Sequence, residues 1–418
     1  MTITHFSNAQ IFDGESPDLK TDCYVEVSGN KITYIGKEKP ELRCDQAFDL
    51  KGSTIMPGLI DAHFHAYASD TDFSKLEALP KSYMAHQGAK LLRGALKRGF
   101  TSVRDVGGAD YGLWRATEEG LIPSPRLFYG GRALSQTGGH ADIRAAHIEP
   151  CACSNLAGNI GTVVDGIDNL RKEVREMLRQ GAHHIKVMVS GGISSPSDPV
   201  WMLQYAKEEL EVVVEEAKRK RRYVAAHAYT AESILRSVEV GIRTIEHGNL
   251  ITEQVAKVVA KHEAYVVPTL ITYDAFARTG DEGGIPQHIL DKLDDVRLKG
   301  QEAVEICSRA GVKLGFGTDL LGEMHSLQLE ELMMRGAVQT PYEVLKSATS
   351  INAEIVQQSG NIGCIQPGAF ADLLIVDGNP LEDLSLLYRA DNGISGIMKN
   401  GNWAVSYTHL TLPTIYSV

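Results

Sequence analysis

Two histidines spaced two apart, His63 and His65, close an apolar run that starts at Met56-Pro57-Gly58. Alternate side chains of a β-strand share a face, so both imidazoles point the same way and can grip one metal ion. A lone pair of histidines reads equally well as surface or core decoration, so the test is whether ligands recur at later strand ends. They do: Lys186, His227, His247 and Asp319 each close a strand-like run, which makes six candidate ligands on five strands. Taken singly, each histidine is a satisfied structural residue, and Asp319 in Gly315-Phe316-Gly317-Thr318-Asp319 is a helix cap. Together, at comparable positions, they point to a metal centre.

Lys186 needs its own account, because an ammonium cannot ligate a cation. Either it is a buried lysine paired with a carboxylate, or carbon dioxide has carbamylated it. The carbamate is an anion with two oxygens, able to bridge two metals about 3.5–4 Å apart. His184 and Met188 share its strand face while Ile185, Val187 and Val189 face the other way, so Lys186 points inward. Tyr229 follows His227 by two and shares its inward face, where it meets a substrate carboxylate or simply packs. The loop 190–201 leaves the strand just after the lysine; its glycines allow close backbone approach, and Trp201 is a candidate apolar wall. Asp198 in the same loop keeps an acidic pocket open as the alternative.

The elements that must position these residues follow from periodicity. Residues 2–54 show short alternating runs broken by Gly, Asn and Asp, a small β-sheet pattern. From the histidine pair onward, strand-like runs at 100–105, 125–130, 184–189, 223–228, 243–246, 264–269 and 313–317 alternate with helical ones at 83–98, 164–180, 207–221, 231–240, 253–262 and 291–310. With the first run that makes eight strands, and the alternation predicts an α/β fold, a (β/α)8 TIM-type barrel. Helices at 341–347 and 351–358 follow, then strands at 368–377 and 393–398, which should join the N-terminal ones in a β-sandwich-like small domain. The expected division is 1–55 plus 360–405, 56–359 for the barrel, and a tail at 406–418 of non-native character.

Bulk properties narrow the function. A chain of 418 residues, 43% hydrophobic and 23% charged, is long enough for a large core. A net charge of -11, with no basic stripe beyond 218–222, argues against nucleic acid. The six cysteines are scattered and form no C-x-x-C pair, so neither a disulfide framework nor a thiolate zinc site is suggested, and a reducing cytoplasm is the default setting. There is neither an export-signal pattern nor a run of about 18 apolar residues, so no membrane partner is expected.

The combination of residues 57–65, Lys186, His227, His247, Asp319, the return at 368–377 and Asn379-Pro380-Leu381 resembles the amidohydrolase superfamily in its binuclear form. Gly138-Gly139-His140-Ala141-Asp142, residues 186–192, His227-Ala228-Tyr229 and Ile245-Glu246-His247-Gly248 look like its metal-dependent dipeptidases, which include prolidases. The resemblance implies two divalent ions, zinc above all, with His63, His65 and Asp319 on the more buried one. His227 and His247 would hold the other, and carbamylated Lys186 would bridge them, carbon dioxide being its source. Asp319 would move the proton from the attacking hydroxide to the leaving amine, and His140, otherwise a loop histidine, would donate to the carbonyl oxygen. The substrate expected is a small molecule, an Xaa-Pro dipeptide first. Xaa-Arg or Xaa-Lys dipeptides, N-acyl amino acids and cyclic or aromatic amides are the alternatives, and further copies of the chain are the expected protein partners. A mononuclear deaminase fits less well because it needs no bridging lysine, and a scaffold protein would not keep all six ligands.

Overall fold

The computed structural model describes residues 2–41, 43–144, 160–195, 198–280, 285–388 and 393–406. Cys151, Cys153, Pro196, Ser197 and the expected tail beyond Ser406 lie outside these. In chain order the first strands are β1 (Ile3–Ile11), β2 (Lys20–Ser28), β3 (Lys31–Gly36), β4 (Gln46–Asp49), β5 (Thr54–Pro57) and β6 (Leu59–Phe64). There follow β7 (Phe100–Asp105), β8 (Arg126–Tyr129), β9 (Ala133–Ser135), β10 (Gly161–Val163), β11 (His184–Met188) and β12 (Tyr223–Thr230). The last are β13 (Thr244–Leu250), β14 (Tyr265–Val267), β15 (Lys313–Leu314), β16 (Leu373–Val376), β17 (Ile394–Lys399) and β18 (Asn402–Ser406).

The chain divides into two compact units: residues 1–60 with 95–102 and 339–418, and residues 61–94 with 103–338. In the first, the N- and C-terminal strands share one sheet of order β18-β17-β16-β5-β1-β2-β3. β1 pairs with β4 through Thr4–Ser7 and with β5 through Gln10 and Ile11, so the small domain read as sandwich-like is a single sheet that forks at β1. Alternate residues of these strands, among them Phe6, Val25, Val27, Ile55, Leu373 and Ile375, bury into a common core, the expected outcome of period-2 patterning.

The strands that carry the candidate ligands form two further sheets, β6-β7-β8 and β10-β9-β11-β12-β13-β14-β15. The second is parallel at every pairing. Every residue of β6, β7 and β11 is buried, as strands covered on both faces must be. The intervening helices are amphipathic: Ile167–Arg179 buries Leu170, Val174, Met177 and Leu178, spaced to lie on one face. Thr230 and Thr252 cap the helices Ala231–Glu239 and Glu253–Lys261 by accepting from Ser233 N and Val255 N.

The run expected as one helix over 291–310 is two, Gln287–Arg297 and Gly300–Arg309. Asn249 Nδ2 donates to Val296 O at 3.0 Å and ends the first. Gly300 then packs so tightly that a Cβ there would lie 2.6 Å from Leu270 Cδ2. The short strands β9 and β10 and the helices Tyr111–Glu118 and Leu270–Thr279 are additions that periodicity did not reveal.

Candidate metal centre and substrate cavity

His63, His65, Lys186, His227, His247 and Asp319 line one cavity, together with His140 and Tyr229. His63, His65 and Asp319 offer ligand atoms all within 4.8 Å of one another. Asp319 Oδ1 stands 3.3 Å from His63 Nε2 and 3.2 Å from His65 Nε2. Ring centroids of His63 and His247 are 4.8 Å apart, and those of His227 and His247 4.7 Å.

Each imidazole is anchored through one nitrogen. His63 Nδ1 donates to Glu246 Oε2 at 2.9 Å, and His65 Nδ1 to Gly107 O at 2.8 Å. His227 Nε2 donates to Gly191 O at 3.2 Å, and His247 Nδ1 lies 2.8 Å from Thr269 Oγ1. A ring whose one nitrogen donates to a carbonyl or carboxylate keeps a lone pair on the other, the form in which histidine binds metal. Three such rings, with His247 beside the Thr269 hydroxyl and the half-buried carboxylate of Asp319, are a donor set that fits divalent ions.

Strand alternation alone does not place these groups. On β13, Thr244 and Glu246 face inward, so His247 should face out; it turns in because its φ is +73°. Asp319 likewise has a φ of +52°. Non-glycine residues rarely adopt this left-handed region, and its use twice in one cavity marks backbone held under constraint for a purpose. Asp61 supplies part of the constraint. Its Oδ1 accepts from His63 N at 3.0 Å and Thr318 N at 3.2 Å, and its Oδ2 from Thr318 Oγ1 at 2.6 Å and Gln328 Nε2 at 2.8 Å. Gly317 lets the two segments close up, since a Cβ there would sit 2.6 Å from His63 Cβ.

Electrostatics sort the groups. Burial works to raise the Asp319 carboxyl, but His63, His65 and His247 hold it well below the carboxylate range. Burial also opposes a charged His65, yet the hydrogen bond and charge of Asp319 raise its pKa. Burial, with the neighbouring histidines and Lys186, keeps His227 and His247 far below the usual histidine value and therefore neutral. Lys186 is buried, and none of the described residues accepts a hydrogen bond from its Nζ. Burial pushes it down to about 8 against the pull of Glu246 and Asp319.

Around the donors, Phe73, Ile143, Ile160 and Met188 form an apolar wall, with Glu77 and Ser194 as polar members. His140 stacks on His227 with centroids 4.2 Å apart, and its Nδ1 meets Asp198 Oδ2 at 3.1 Å. Two expectations fail here. Trp201 does not wall the cavity; it is 74% exposed, because Val200 takes the inward position among Ile193, Tyr229 and Ile271. Asp198 is not a substrate-facing acid: it is fully buried, and its Oδ2 is spent on His140, Gly192 N and Gln204 Nε2. The close approach read into the glycines is to His140, since a Cβ on Gly192 would stand 2.3 Å from its Cε1.

Sequence reading missed Glu246, Arg104, Asp61, Thr269 and Tyr273. Arg104 NH2 meets both oxygens of Glu246 at 2.8 Å, and the pair fixes His63. A glutamate and an arginine inside otherwise apolar strands were the available signal, since such charges are buried only when paired.

A parallel α/β sheet whose strand ends converge on histidines, a carboxylate and a lysine defines a hydrolytic enzyme acting on small molecules. The chain belongs to the amidohydrolase family, whose pattern it matches over residues 54–404. It is 44% identical to a prolidase whose crystal structure holds N-methylphosphonate-L-proline, with a TM-score of 0.93 over 96% of this chain and 99% of that one. A Xaa-Pro dipeptidase with bound methionine is 26% identical, with a TM-score of 0.86 over 96% and 99%. Among curated proteins, the ochratoxinase of Aspergillus niger is 31% identical over 94% of this chain and 84% of its own. Among the described residues, no helix is long and apolar enough to cross a membrane.

Proposed function

We propose that this enzyme hydrolyses dipeptides, Xaa-Pro first, at a binuclear metal centre in a (β/α)8 barrel. The carrying observation is the set of four imidazoles, each anchored by one nitrogen, around Asp319 and a lysine with no acceptor among the described residues. The barrel reading rests on hydrogen bonds joining the two sheets, Ala62 N to Phe316 O and His183 N to Tyr129 O, both 2.8 Å. The domain division around it, residues 56–359 between the terminal segments, is part of the same proposal.

His63, His65 and Asp319 would hold one ion and His227 and His247 the other, with carbamylated Lys186 as a further anionic ligand. Divalent ions, zinc in this reading, supply Lewis acidity and make a water acidic near neutral pH. The lowered pKa of Lys186 gives it a neutral fraction at physiological pH, and only the neutral amine adds to the carbon of carbon dioxide, losing a proton as the carbamate forms. Asp319, an anion between imidazoles, takes the proton of the attacking water and passes it to the departing amine. His140, with Nδ1 held by Asp198, directs Nε2 at the substrate carbonyl oxygen, where negative charge builds. The Tyr229 hydroxyl meets the substrate carboxylate, and the wall of Phe73, Ile143, Ile160 and Met188 suits a prolyl ring.

The same wall favours a second reading, an ochratoxinase-like activity. A screen of zinc-loaded protein against a dipeptide library separates them: Xaa-Pro dipeptides should be cut first, and no cleavage of any of them gives the second reading precedence.

A further inference from the structure

Behind Tyr229 runs a chain of hydrogen bonds that the catalytic roles above do not use. His247 Nδ1 lies 2.8 Å from Thr269 Oγ1, Thr269 Oγ1 3.4 Å from Tyr273 OH, and Tyr273 OH 2.9 Å from Tyr229 OH. All four residues are at most 3% exposed, so water does not rescue a wrongly oriented hydroxyl. Each hydroxyl has one proton to give, so the chain has two self-consistent directions. In one, His247 donates to Thr269, Thr269 to Tyr273, and Tyr273 to Tyr229, which leaves the Tyr229 proton free to point into the cavity. In the other, every donor reverses, His247 Nδ1 accepts, and Tyr229 shows the cavity only lone pairs.

What selects the direction is the tautomer of His247. A metal on Nε2 requires a lone pair there, which puts the proton on Nδ1 and forces the outward direction. We propose that Thr269 and Tyr273 are positioning residues that relay metal occupancy at His247 into the donor orientation of Tyr229, so that metal and substrate carboxylate strengthen each other's binding. No group changes charge; only the order of donors is set. The inference rests on the readings of His247 as a ligand and of Tyr229 as the carboxylate contact. Coupling between two sites is reciprocal, so it is readable from the metal side without turnover.

The experiment measures zinc affinity of the holoenzyme by chelator competition, with L-proline, with L-prolinamide, and with neither. Proline should tighten zinc about tenfold more than the amide does, the worth of one hydrogen bond to a charged group. In Tyr273→Phe that difference should fall below about twofold, with zinc content retained and KM for an Xaa-Pro dipeptide rising more than kcat falls. Thr269→Val should lose the coupling and Thr269→Ser should keep it, which guards against a variant that merely folds badly. Wild-type coupling in Tyr273→Phe, or no difference between acid and amide in the wild-type enzyme, overturns the relay. If coupling is present and no Xaa-Pro dipeptide is cut, the relay stands and the substrate assignment falls instead.

Discussion

Glu246 and Glu331 are both fully buried carboxylates beside an arginine, yet they are held in opposite states. Glu246 is pushed up by burial, but Arg104 and His63 outweigh it and keep its pKa well below the usual value, so it is an anion. Glu331 accepts Ile271 N at 2.7 Å, near the start of the helix Leu270–Thr279 that carries Tyr273. There burial wins over Arg335 and the backbone amide, and the pKa rises to about 8. The difference lies in how far each carboxylate is satisfied: Arg104 reaches both oxygens of Glu246 at 2.8 Å, whereas Glu331 Oε1 is buried with no hydrogen-bond partner among the described residues. His63 is thus oriented by a charged partner, Glu246, and His247 by neutral hydrogen bonds through Thr269 and Tyr273.

The comparison breaks most easily at Arg104. Arg104→Met strands a buried carboxylate, and the expected loss is about 3–5 kcal/mol of stability in urea unfolding; an unchanged midpoint means Glu246 is not an anion. Glu246→Gln keeps the shape but removes the charge behind His63, and zinc affinity by chelator competition should fall about 10–100-fold. The neutral counterpart, Thr269→Val, should cost only about 1 kcal/mol of stability. If its effect on zinc equals that of Glu246→Gln, the two histidines are not held differently. The smallest effect is the dependence on pH. Glu331 keeps its proton in the fold up to about 8, whereas the unfolded chain releases it near 4.5. Across that window the folded state binds more protons, so the contribution of Glu331 is complete below it and lost as pH rises through it. Glu331→Gln should flatten this decline in thermal midpoint between pH values of about 4.5 and about 8. Glu246 acts in the opposite sense, stabilising above the ordinary glutamate value and failing only under acid.

Much of this was legible in the chain. The spacing of His63 and His65, and of His227 and Tyr229, carries its own geometry, because period two in a strand determines which side chains share a face. The strands carrying Lys186, His227 and His247 were legible as buried, parallel-type runs. What escaped depends on partners distant in sequence. Nothing near Glu246 says that Arg104 will reach it, and nothing near Thr269 says that His247 lies beside it. The left-handed turn at His247 is hinted at only by the glycine that follows. Trp201 was misread because a loop after a glycine pair was taken to open toward the cavity, whereas Asp198 folds it back on His140. The break in the helix over 291–310 escaped for a similar reason, since Asn249 comes from β13.

Lys292, from the helix Gln287–Arg297, adds one more consequence. Its ammonium is shared among three carbonyl oxygens of the loop that holds Asp198: Gly192 at 3.1 Å, Ser195 at 2.8 Å and Asp198 at 2.5 Å. A cage of carbonyls around a monovalent cation is the coordination a free potassium or ammonium ion adopts, and here the ion is tethered to the chain. The wild-type enzyme should therefore be indifferent to the choice of monovalent salt. Lys292→Ala should gain a salt requirement, with activity restored in part by ammonium or potassium chloride and not by the bulky tetramethylammonium ion.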